Sequence, residues 1–197
     1  MKSMARLALL ITAVVSINCA RLFPTPIDRI RKPLVEKRLY IDDTFEVSDV
    51  KCIESSADEW NRRTKGLASI TVVPLTSEKN TVPKDTSVDD IIMTRVTSDS
   101  AIVFFIERLS GSLLYGYYQP QGDHSEITMV HDRYKSETVC RMVLMHELGH
   151  ALGIHHNTDP ASLMYGGDDV MPTGITHRDL TDFCRIYGCR PDDLTSP

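Results

Sequence analysis

The sequence lacks the features that mark nucleic-acid-binding and membrane-spanning proteins. Its 22 lysines and arginines are outnumbered by 27 aspartates and glutamates, so a formal net charge of −5 gives no basic footprint for phosphate backbones. We therefore expect no nucleic-acid partner. The apolar run at residues 7–17 is interrupted by Thr12 and Ser16 and is shorter than the roughly 20 residues that a membrane-spanning helix needs. Charged residues form 25% of the chain, the ordinary value for a globular protein, so disorder is not indicated.

Residues 1–20 have the pattern of an export signal peptide. Lys2 and Arg6 form a positive region ahead of the short apolar run. A buried N-terminal helix is the alternative interpretation. Cys19 stands where a bacterial lipoprotein would carry its lipid, although Asn18 is not the small residue expected before it. Membrane attachment through a lipidated Cys19 and free secretion therefore both stay open. In either case we expect an exported protein, secreted or in the cell envelope.

The rest of the chain is long enough for a single folded domain. Residues 21–36 contain three prolines and several charges, which indicates an extended N-terminal arm. Residues 37–190 are predicted to form this folded domain, and residues 191–197 a C-terminal tail. A chain of this length can bury a substantial core.

A metal-binding pattern stands at residues 146–156, HELGHALGIHH, which has the form HExxHxxGxxH. His146 and His150 are four residues apart, so on a helix they lie on one face and can share one zinc ion. Gly153 allows a sharp turn because glycine adopts a positive φ without steric cost. The turn can return His156 to the metal as a third ligand. A fourth position then stays open, which is typical of a catalytic zinc site.

Glu147 is the predicted general base of this site. It is adjacent to the first ligand and therefore close enough to take a proton from a water molecule at the metal. In a chain of this composition the five fixed positions arise by chance with a probability of about 10⁻⁵, which disfavours a buried helix with incidental histidines. His155 is the neighbour of a ligand, but the spacing selects His156. His155 would matter only if the turn were reset.

The motif and the residues that follow it resemble the metzincin metallopeptidases. The signature of that clan is the extended zinc motif plus a later Met-turn, and residues 162–165, SLMY, fit that turn eight residues after His156. Residues 157–165 are most similar to the matrixin branch, in which Asn157 would usually be Ser. The resemblance implies zinc-dependent hydrolysis of extended peptide or protein substrates. It also implies that Met164 forms an apolar floor beneath the ligands.

The apolar periodicity and the resemblance together predict an α+β fold. We expect a metzincin-like catalytic domain in which two long helices pack on a twisted mixed sheet of about five strands, followed by a smaller C-terminal subdomain with the Met-turn and a final helix. The predicted strands are residues 37–45, 67–75, 90–96, 111–118 and 126–131. The predicted long helices are residues 49–64, capped by Ser48, and 137–152, capped by Ser136. The apolar run at residues 101–106 is ambiguous, with an additional strand as one interpretation.

By resemblance, the strand at residues 111–118 would be the edge strand above the cleft. An edge strand has free N–H and C=O groups, with which an extended peptide can pair. The candidate substrate-binding residues are Gly111, Leu113, Leu114 and Tyr115. A covered strand that binds no ligand is the alternative.

We expect one catalytic zinc ion and no second, structural one. Matrixins usually hold a structural zinc with histidines on and around these strands, whereas the matching positions here are Tyr115 and Thr128. The nearby polar residues are interpreted as solvated turn residues rather than ligands: Asp123, His124, His131 and Asp132. The sequence also shows no cysteine-containing motif like the one that caps the zinc in matrixin propeptides, so we expect no zymogen of that kind.

The final helix is predicted to begin with a capping box, because Asp179 follows Thr176 by three residues, and to end at Gly188. By resemblance Asp179 also ties this helix to the Met-turn; a simple capping role is the alternative. If Gly188 lies just past the helix, Cys184 and Cys189 occupy positions that touch in such a cap.

Four cysteines besides Cys19 suggest disulfides in an exported chain, with three connectivities to choose from. The cap favours a Cys184–Cys189 bridge. This leaves Cys52–Cys140 to join the two long helices. Buried free thiols are the alternative.

The sequence therefore predicts an exported zinc metalloendopeptidase. One competing hypothesis is a zinc-stabilised surface module without catalysis, which would need the histidines but not Glu147. Another is a zinc hydrolase of a non-protein amide, such as one in a cell-wall polymer. The Met-turn and the edge strand oppose this last hypothesis only through the resemblance.

Overall fold

The computed structural model of the chain describes residues 33–75, 86–110, 115–134, 136–167 and 172–195. These ranges contain five strands, β1–β5, and five helices, α1–α5. The predicted signal peptide and most of the predicted loop between residues 76 and 88 lie outside them. Among the helices of the described ranges, none has the length and apolar character needed to cross a membrane.

The five strands form one sheet with the order β2-β1-β3-β5-β4. The strands are β1 (Val35–Ile41), β2 (Ala68–Pro74), β3 (Asp90–Val96), β4 (Gly116–Pro120) and β5 (Ser125–Val130). The first three and β5 pair in parallel, and β4 pairs antiparallel with β5 at the edge. Residues 39–41 and 127–130 are buried without a break, and all of them except Thr128 are hydrophobic, a pattern typical of parallel strands that are covered on both faces. The mixed five-stranded sheet confirms the predicted fold class.

Two long helices pack on the sheet and against each other: α1 (Val47–Arg63) and α3 (Glu137–Ala151). The buried face of α1 carries Ile53, Ala57 and Trp60. The indole N–H of Trp60 donates to the backbone carbonyl of Met145 in α3 over 2.9 Å. Trp60 is therefore a core residue that also satisfies its one polar atom.

The beginning of α1 differs from the prediction. The N-cap is Glu46 rather than Ser48, and the Asp49 carboxylate accepts a hydrogen bond from the Glu46 backbone N–H over 3.2 Å. A capping box therefore starts the helix two residues earlier. Ser48 is a favoured N-cap residue type, which is why the sequence pointed to it. The side chains of Glu46 and Asp49 together satisfy more of the free backbone N–H groups at the start of the helix than a single serine would. By contrast, Ser136 caps α3 as predicted, accepting from the Val139 N–H over 3.3 Å.

The ambiguous run at residues 101–106 is a helix and not a strand. It forms the first part of α2 (Ala101–Ser110), in which Val103 is fully buried and Ile102 is exposed. The hydroxyl of Ser100 lies 3.5 Å from the Val103 N–H, as an N-cap side chain would. Six apolar residues in a row fit a buried strand or a helix equally well, so periodicity could not separate the two.

The C-terminal part contains α4 (His177–Tyr187) and the short α5 (Asp192–Thr195). The predicted capping box at the start of α4 is present, and Gly188 ends the helix with a φ of +71°. Both predicted disulfides are present. Cys52–Cys140 joins α1 to α3, and Cys184–Cys189 closes the end of α4.

Candidate metal and catalytic site

The three predicted zinc ligands meet at one point. His146 and His150 project from one face of α3, and the chain then turns at Gly153, whose φ is +79°. The Nε2 atom of His156 lies 3.0 Å from that of His146 and 3.1 Å from that of His150. Tetrahedral zinc with Zn–N bonds of about 2.0–2.1 Å separates its nitrogen ligands by about 3.3 Å. The spacing of the three nitrogens is therefore close to that of a zinc site.

The backbone fixes which nitrogen of two of these rings is free to bind a metal. The Nδ1 atom of His146 lies 2.7 Å from the carbonyl oxygen of Leu163, and that of His150 lies 2.8 Å from the carbonyl oxygen of Ile154. A carbonyl can only accept, so each Nδ1 carries the proton and each Nε2 presents a lone pair. Acceptor nitrogens this close repel one another unless a proton or a cation lies between them. The donor set therefore fits a zinc ion.

Burial keeps these rings in the neutral form that binds metal. Desolvation lowers the pKa of His146 and His156 below the ordinary value of 6.5. The pKa of His150 falls to about 4, first because the ring is desolvated and second because His146 is close to it. Neutral imidazoles at neutral pH are the state that zinc requires.

Glu147 is almost completely buried beside the histidines. Loss of solvent raises the pKa of its carboxyl group to about 8, and the backbone N–H of Tyr118 on β4 acts in the opposite direction. A divalent cation next to the carboxylate would also lower this pKa. The site thus holds one buried carboxyl group that is adjacent in sequence to a metal ligand and hydrogen-bonded to the edge strand.

The Met-turn lies directly beneath α3. Met164 is fully buried, and a Cβ atom built on Gly149 would lie 2.4 Å from the Met164 sulfur. The carboxylate of Asp179 in α4 accepts from the backbone N–H of Leu163 over 3.0 Å and of Thr176 over 2.7 Å. Asp179 therefore both caps its own helix and ties that helix to the Met-turn, so the two alternative roles are combined.

The sequence profile of the matrixin family matches residues 56–188. The chain belongs to the matrixin family. Matrixins are zinc metallopeptidases, and the three convergent histidines are the ligand set that such an enzyme needs. Among curated proteins the chain is similar to a probable matrix metalloproteinase, 095L, of Invertebrate iridescent virus 3, with 37% identity over 49 residues. That alignment spans 25% of this chain and 14% of the viral protein.

Three solved structures match this matrixin at low sequence identity. High choriolytic enzyme 1, a hatching enzyme zinc-protease from Oryzias latipes, has a TM-score of 0.47 and 16% identity, covering 79% of this chain and 90% of its own. Archaemetzincin from Methanopyrus kandleri has a TM-score of 0.49 and 11% identity, covering 81% and 99%. Metalloproteinase-II from Bacteroides fragilis has a TM-score of 0.43 and 16% identity, covering 77% and 52%.

The edge of the sheet beside the matrixin site is β4, as predicted, although the strand begins later than expected. The Val130 N–H donates to the Tyr115 carbonyl over 2.9 Å, so Tyr115 bonds inward to β5. Hydrogen-bonding pairs alternate along an antiparallel ladder, so the backbone N–H and C=O groups of Gly116 and Tyr118 point outward. Three predicted substrate-binding residues, Gly111, Leu113 and Leu114, lie outside the described residues.

Gly116 is a site residue that the sequence did not single out. A Cβ atom there would lie 3.0 Å from the Val143 side chain in α3 and 3.1 Å from the Thr128 carbonyl oxygen. The missing side chain lets the edge strand lie close to the active-site helix. A glycine inside a strand pattern is the signal that could have indicated this close approach.

The positions considered for a second zinc ion make other contacts. Within the ranges that the structure describes, the three histidines are the one group of three or more metal-binding side chains close enough to hold an ion. Thr128 is buried in β5, and His124 instead pairs with the Asp123 carboxylate over 2.7 Å. Asp132 accepts from the backbone N–H of Ser98 over 2.8 Å. A single zinc ion per chain stays a prediction.

Proposed function

We propose that this matrixin is an exported zinc-dependent endopeptidase that hydrolyses internal bonds of extended peptide or protein substrates. One observation carries the proposal: the buried Glu147 carboxyl group, next in α3 to the first of three convergent imidazoles, is hydrogen-bonded by the backbone N–H of Tyr118 on the edge strand. A purely structural zinc site would need the histidines but no basic carboxylate beside them.

His146, His150 and His156 would hold the zinc ion through their Nε2 atoms. Zinc bound there would polarise the scissile carbonyl group, lower the pKa of a water molecule and stabilise the developing oxyanion. The protein keeps the three rings neutral by burial and holds two of them in orientation through the Leu163 and Ile154 carbonyl groups. The zinc site is thus preorganised before any substrate arrives.

Glu147 supplies the general base. Its carboxylate takes the proton of the attacking water and passes it to the leaving amine nitrogen. Burial raises the pKa of Glu147 to about 8, and a zinc ion beside the group would lower this pKa and favour the ionised form that a general base requires. Its position between α3 and β4 keeps it within reach of a peptide bond that lies along the edge strand.

The edge strand supplies the substrate platform. The outward-facing N–H and C=O groups of Gly116 and the C=O group of Tyr118 can pair with an extended peptide. Pro120 has no N–H, so it adds no donor to this edge. We retain Gly111, Leu113, Leu114 and Tyr115 as proposed substrate-binding residues, with Tyr115 contributing through its side chain because its carbonyl bonds to β5.

Cleavage of a diverse peptide mixture tests the proposal. Zinc-loaded wild type should cleave internal peptide bonds, and a chelator should abolish the cleavage. Glu147→Gln should keep its zinc while kcat falls by about 10²- to 10⁴-fold, the usual contribution of a general base. His155→Ala is the matched control and should keep both zinc and activity, whereas His156→Ala should lose both. If correctly folded, zinc-loaded wild type cleaved no peptide in a chelator-sensitive way, the peptidase proposal would be wrong.

Export is supported by the two disulfides, which persist in oxidising compartments. Residues 1–20 as a signal peptide and Cys19 as a lipid attachment site lie outside the described residues and stay predictions. The mass of the exported chain tests both, because removal of the signal shortens the chain and lipidation adds the mass of the acyl groups. A full-length chain retained in the cytoplasm would contradict the export proposal.

A further inference from the structure

The loop that follows the third zinc ligand is closed on itself by backbone hydrogen bonds. Asn157, the residue after His156, donates its N–H to the Met164 carbonyl oxygen over 2.8 Å. Gly166 donates its N–H to the Asn157 carbonyl oxygen over 3.1 Å, which makes a short parallel bridge. Residues 157–164 therefore form a loop with the third ligand at one end and the Met-turn at the other.

A side-chain network fixes the inside of this loop. The Nδ2 of Asn157 donates to the Ser162 hydroxyl oxygen over 2.7 Å, and the Met164 backbone N–H donates to the same oxygen over 3.1 Å. The Ser162 hydroxyl in turn donates to the Asp179 carboxylate over 2.5 Å. A hydroxyl has one proton and two lone pairs, so every hydrogen-bonding capacity of Ser162 is used. Because Asp179 only accepts, the direction of each bond is set and the Asn157 amide must donate.

This network helps to set the positions of two of the three proposed zinc ligands. His156 precedes Asn157, so the position of the loop's first residue governs where that imidazole points. The other end of the loop supplies the Leu163 carbonyl oxygen that holds Nδ1 of His146. The third ligand, His150, is held by Ile154 outside the loop. A change at Asn157 is therefore expected to disturb His156 and His146 and to leave His150 in place.

We propose that Asn157 is a positioning residue of the metal site: through Ser162 its amide holds residues 157–164 in the shape that aims His156 and His146 at one ion. The proposal rests on the zinc site of the proposed function. The Asn157 Oδ1 also accepts the Asp159 backbone N–H over 3.0 Å, so the side chain bridges two points of the loop. A serine at this position would present one oxygen atom in place of two separate polar atoms.

Zinc affinity, measured by competition with a chelator, tests this role without any substrate. Asn157→Asp has the same size but presents an oxygen to the lone pairs of Ser162, so its zinc dissociation constant should rise by about 10- to 100-fold, the usual effect of losing an outer-shell partner. Asn157→Ser should fall between this variant and wild type, since it can still accept from Asp159. Thr158→Ala changes the exposed neighbour and should bind zinc as wild type does.

Cobalt substitution gives a second readout that a merely structural role would not change. The visible absorption of Co²⁺ bound to the site should shift in Asn157→Asp and Asn157→Ser, because the directions of His156 and His146 change, and should be unaltered in Thr158→Ala. Wild-type zinc affinity together with an unaltered cobalt spectrum in folded Asn157→Asp and Asn157→Ser would overturn the proposal. Because neither readout uses peptide cleavage, a failure here is distinct from a failure of the peptidase assay.

Discussion

Gly149 stands in the middle of α3 at a point where a side chain has no room. A Cβ atom there would meet the Met164 sulfur at 2.4 Å and the Trp60 ring at 3.4 Å, and both of these side chains are fully buried. Glycine in a helix interior destabilises the helix by roughly 0.5–1 kcal/mol relative to alanine. The close packing of the Met-turn against the ligand helix therefore outweighs the helix propensity at this position.

Gly149→Ala is expected to destabilise the protein despite its better helix propensity. Overpacking of a core costs about 1–3 kcal/mol, so a net loss of about 1–2 kcal/mol in the free energy of unfolding remains after the helix gain. Urea denaturation measures this loss in the free energy of unfolding. Gly174→Ala is the matched control, because nothing lies within 4 Å of a Cβ atom there, and its stability should change by less than about 0.5 kcal/mol. Equal effects of the two substitutions would contradict the packing argument.

We expect the three histidines to release the zinc ion in acid. Only neutral imidazole binds the metal, and burial lowers the pKa of all three ligands, that of His150 to about 4. Protons therefore begin to compete well below the ordinary histidine pKa of 6.5, and zinc binding itself pushes release to still lower pH. Metal content after dialysis at a series of pH values should stay at the neutral value down to about pH 6 and fall toward pH 4. Loss of half the zinc at pH 6.5 or above would contradict this expectation.

Some residues of the site could be predicted from the sequence and others could not, for a physical reason. His146 and His150 were predictable because a helix places residues one turn apart on the same face, and Glu147 and His156 because the motif fixes their spacing from that pair. The Asn157–Ser162 bond was not predicted, because it depends on how an irregular loop closes, and no periodicity governs that. Its one sequence signal was the presence of Asn where related chains usually have Ser.

At the scale of elements, one carboxylate joins the final helix to the Met-turn. Asp179 is fully buried and accepts hydrogen bonds from two parts of the chain, the Met-turn and the start of its own helix. They come from the backbone N–H groups of Leu163, Met164 and Thr176 and from the hydroxyl groups of Ser162 and Thr176. A buried charge is tolerated when it is hydrogen-bonded in this way. The same interactions place α4 beneath the zinc ligands.

Asp179→Asn is expected to loosen this junction strongly. One carboxylate oxygen becomes an NH₂ group that faces N–H donors, so at least two buried donors lose their acceptor and the free energy of unfolding should fall by about 3 kcal/mol or more. Asp182→Asn on the same helix is the matched control, since in the described part of the chain Asp182 pairs with the half-exposed Arg178 and the exposed Arg185 side chains, and its substitution should cost less than about 1 kcal/mol. Thermal unfolding of both variants measures the two losses in stability. A similar small loss in each would show that Asp179 acts only as an ordinary cap.

Element boundaries were harder to predict than element types. The strand β3 and the helix α3 were predicted within one residue, because a run of branched residues and a Ser cap with apolar periodicity each point to one structure. The start of α1 was missed because two capping patterns overlap at Glu46 and Ser48, and only tertiary contacts choose between them. The type of α2 could not be predicted because its apolar run carries no period, so helix and strand both stayed open.

At the scale of the whole molecule, α3 is held from both sides. Trp60 and the Cys52–Cys140 bridge attach it to α1, while the Met-turn and Asp179 hold α4 beneath its far end. The zinc ligands therefore belong to a helix whose position is set by the rest of the fold rather than by the metal alone. This explains how the site can remain preorganised although the loop after His156 is irregular.

The two disulfides should contribute unequally to the stability of this arrangement. Cys52–Cys140 spans 88 residues of sequence and Cys184–Cys189 spans 5. In the chain-entropy description, a bridge of the first kind stabilises by about 4–5 kcal/mol and one of the second kind by about 2 kcal/mol, because the longer loop restricts the unfolded chain more. The double variant Cys52→Ala/Cys140→Ala should therefore lose more than twice as much free energy of unfolding in urea as Cys184→Ala/Cys189→Ala. Wild type produced under reducing conditions lacks both bridges and should have a lower thermal midpoint, which would link folding of the protein to an oxidising compartment. An equal or larger loss from the Cys184–Cys189 pair would instead mean that the cap of α4, and not the clamp between the long helices, limits the stability of the domain.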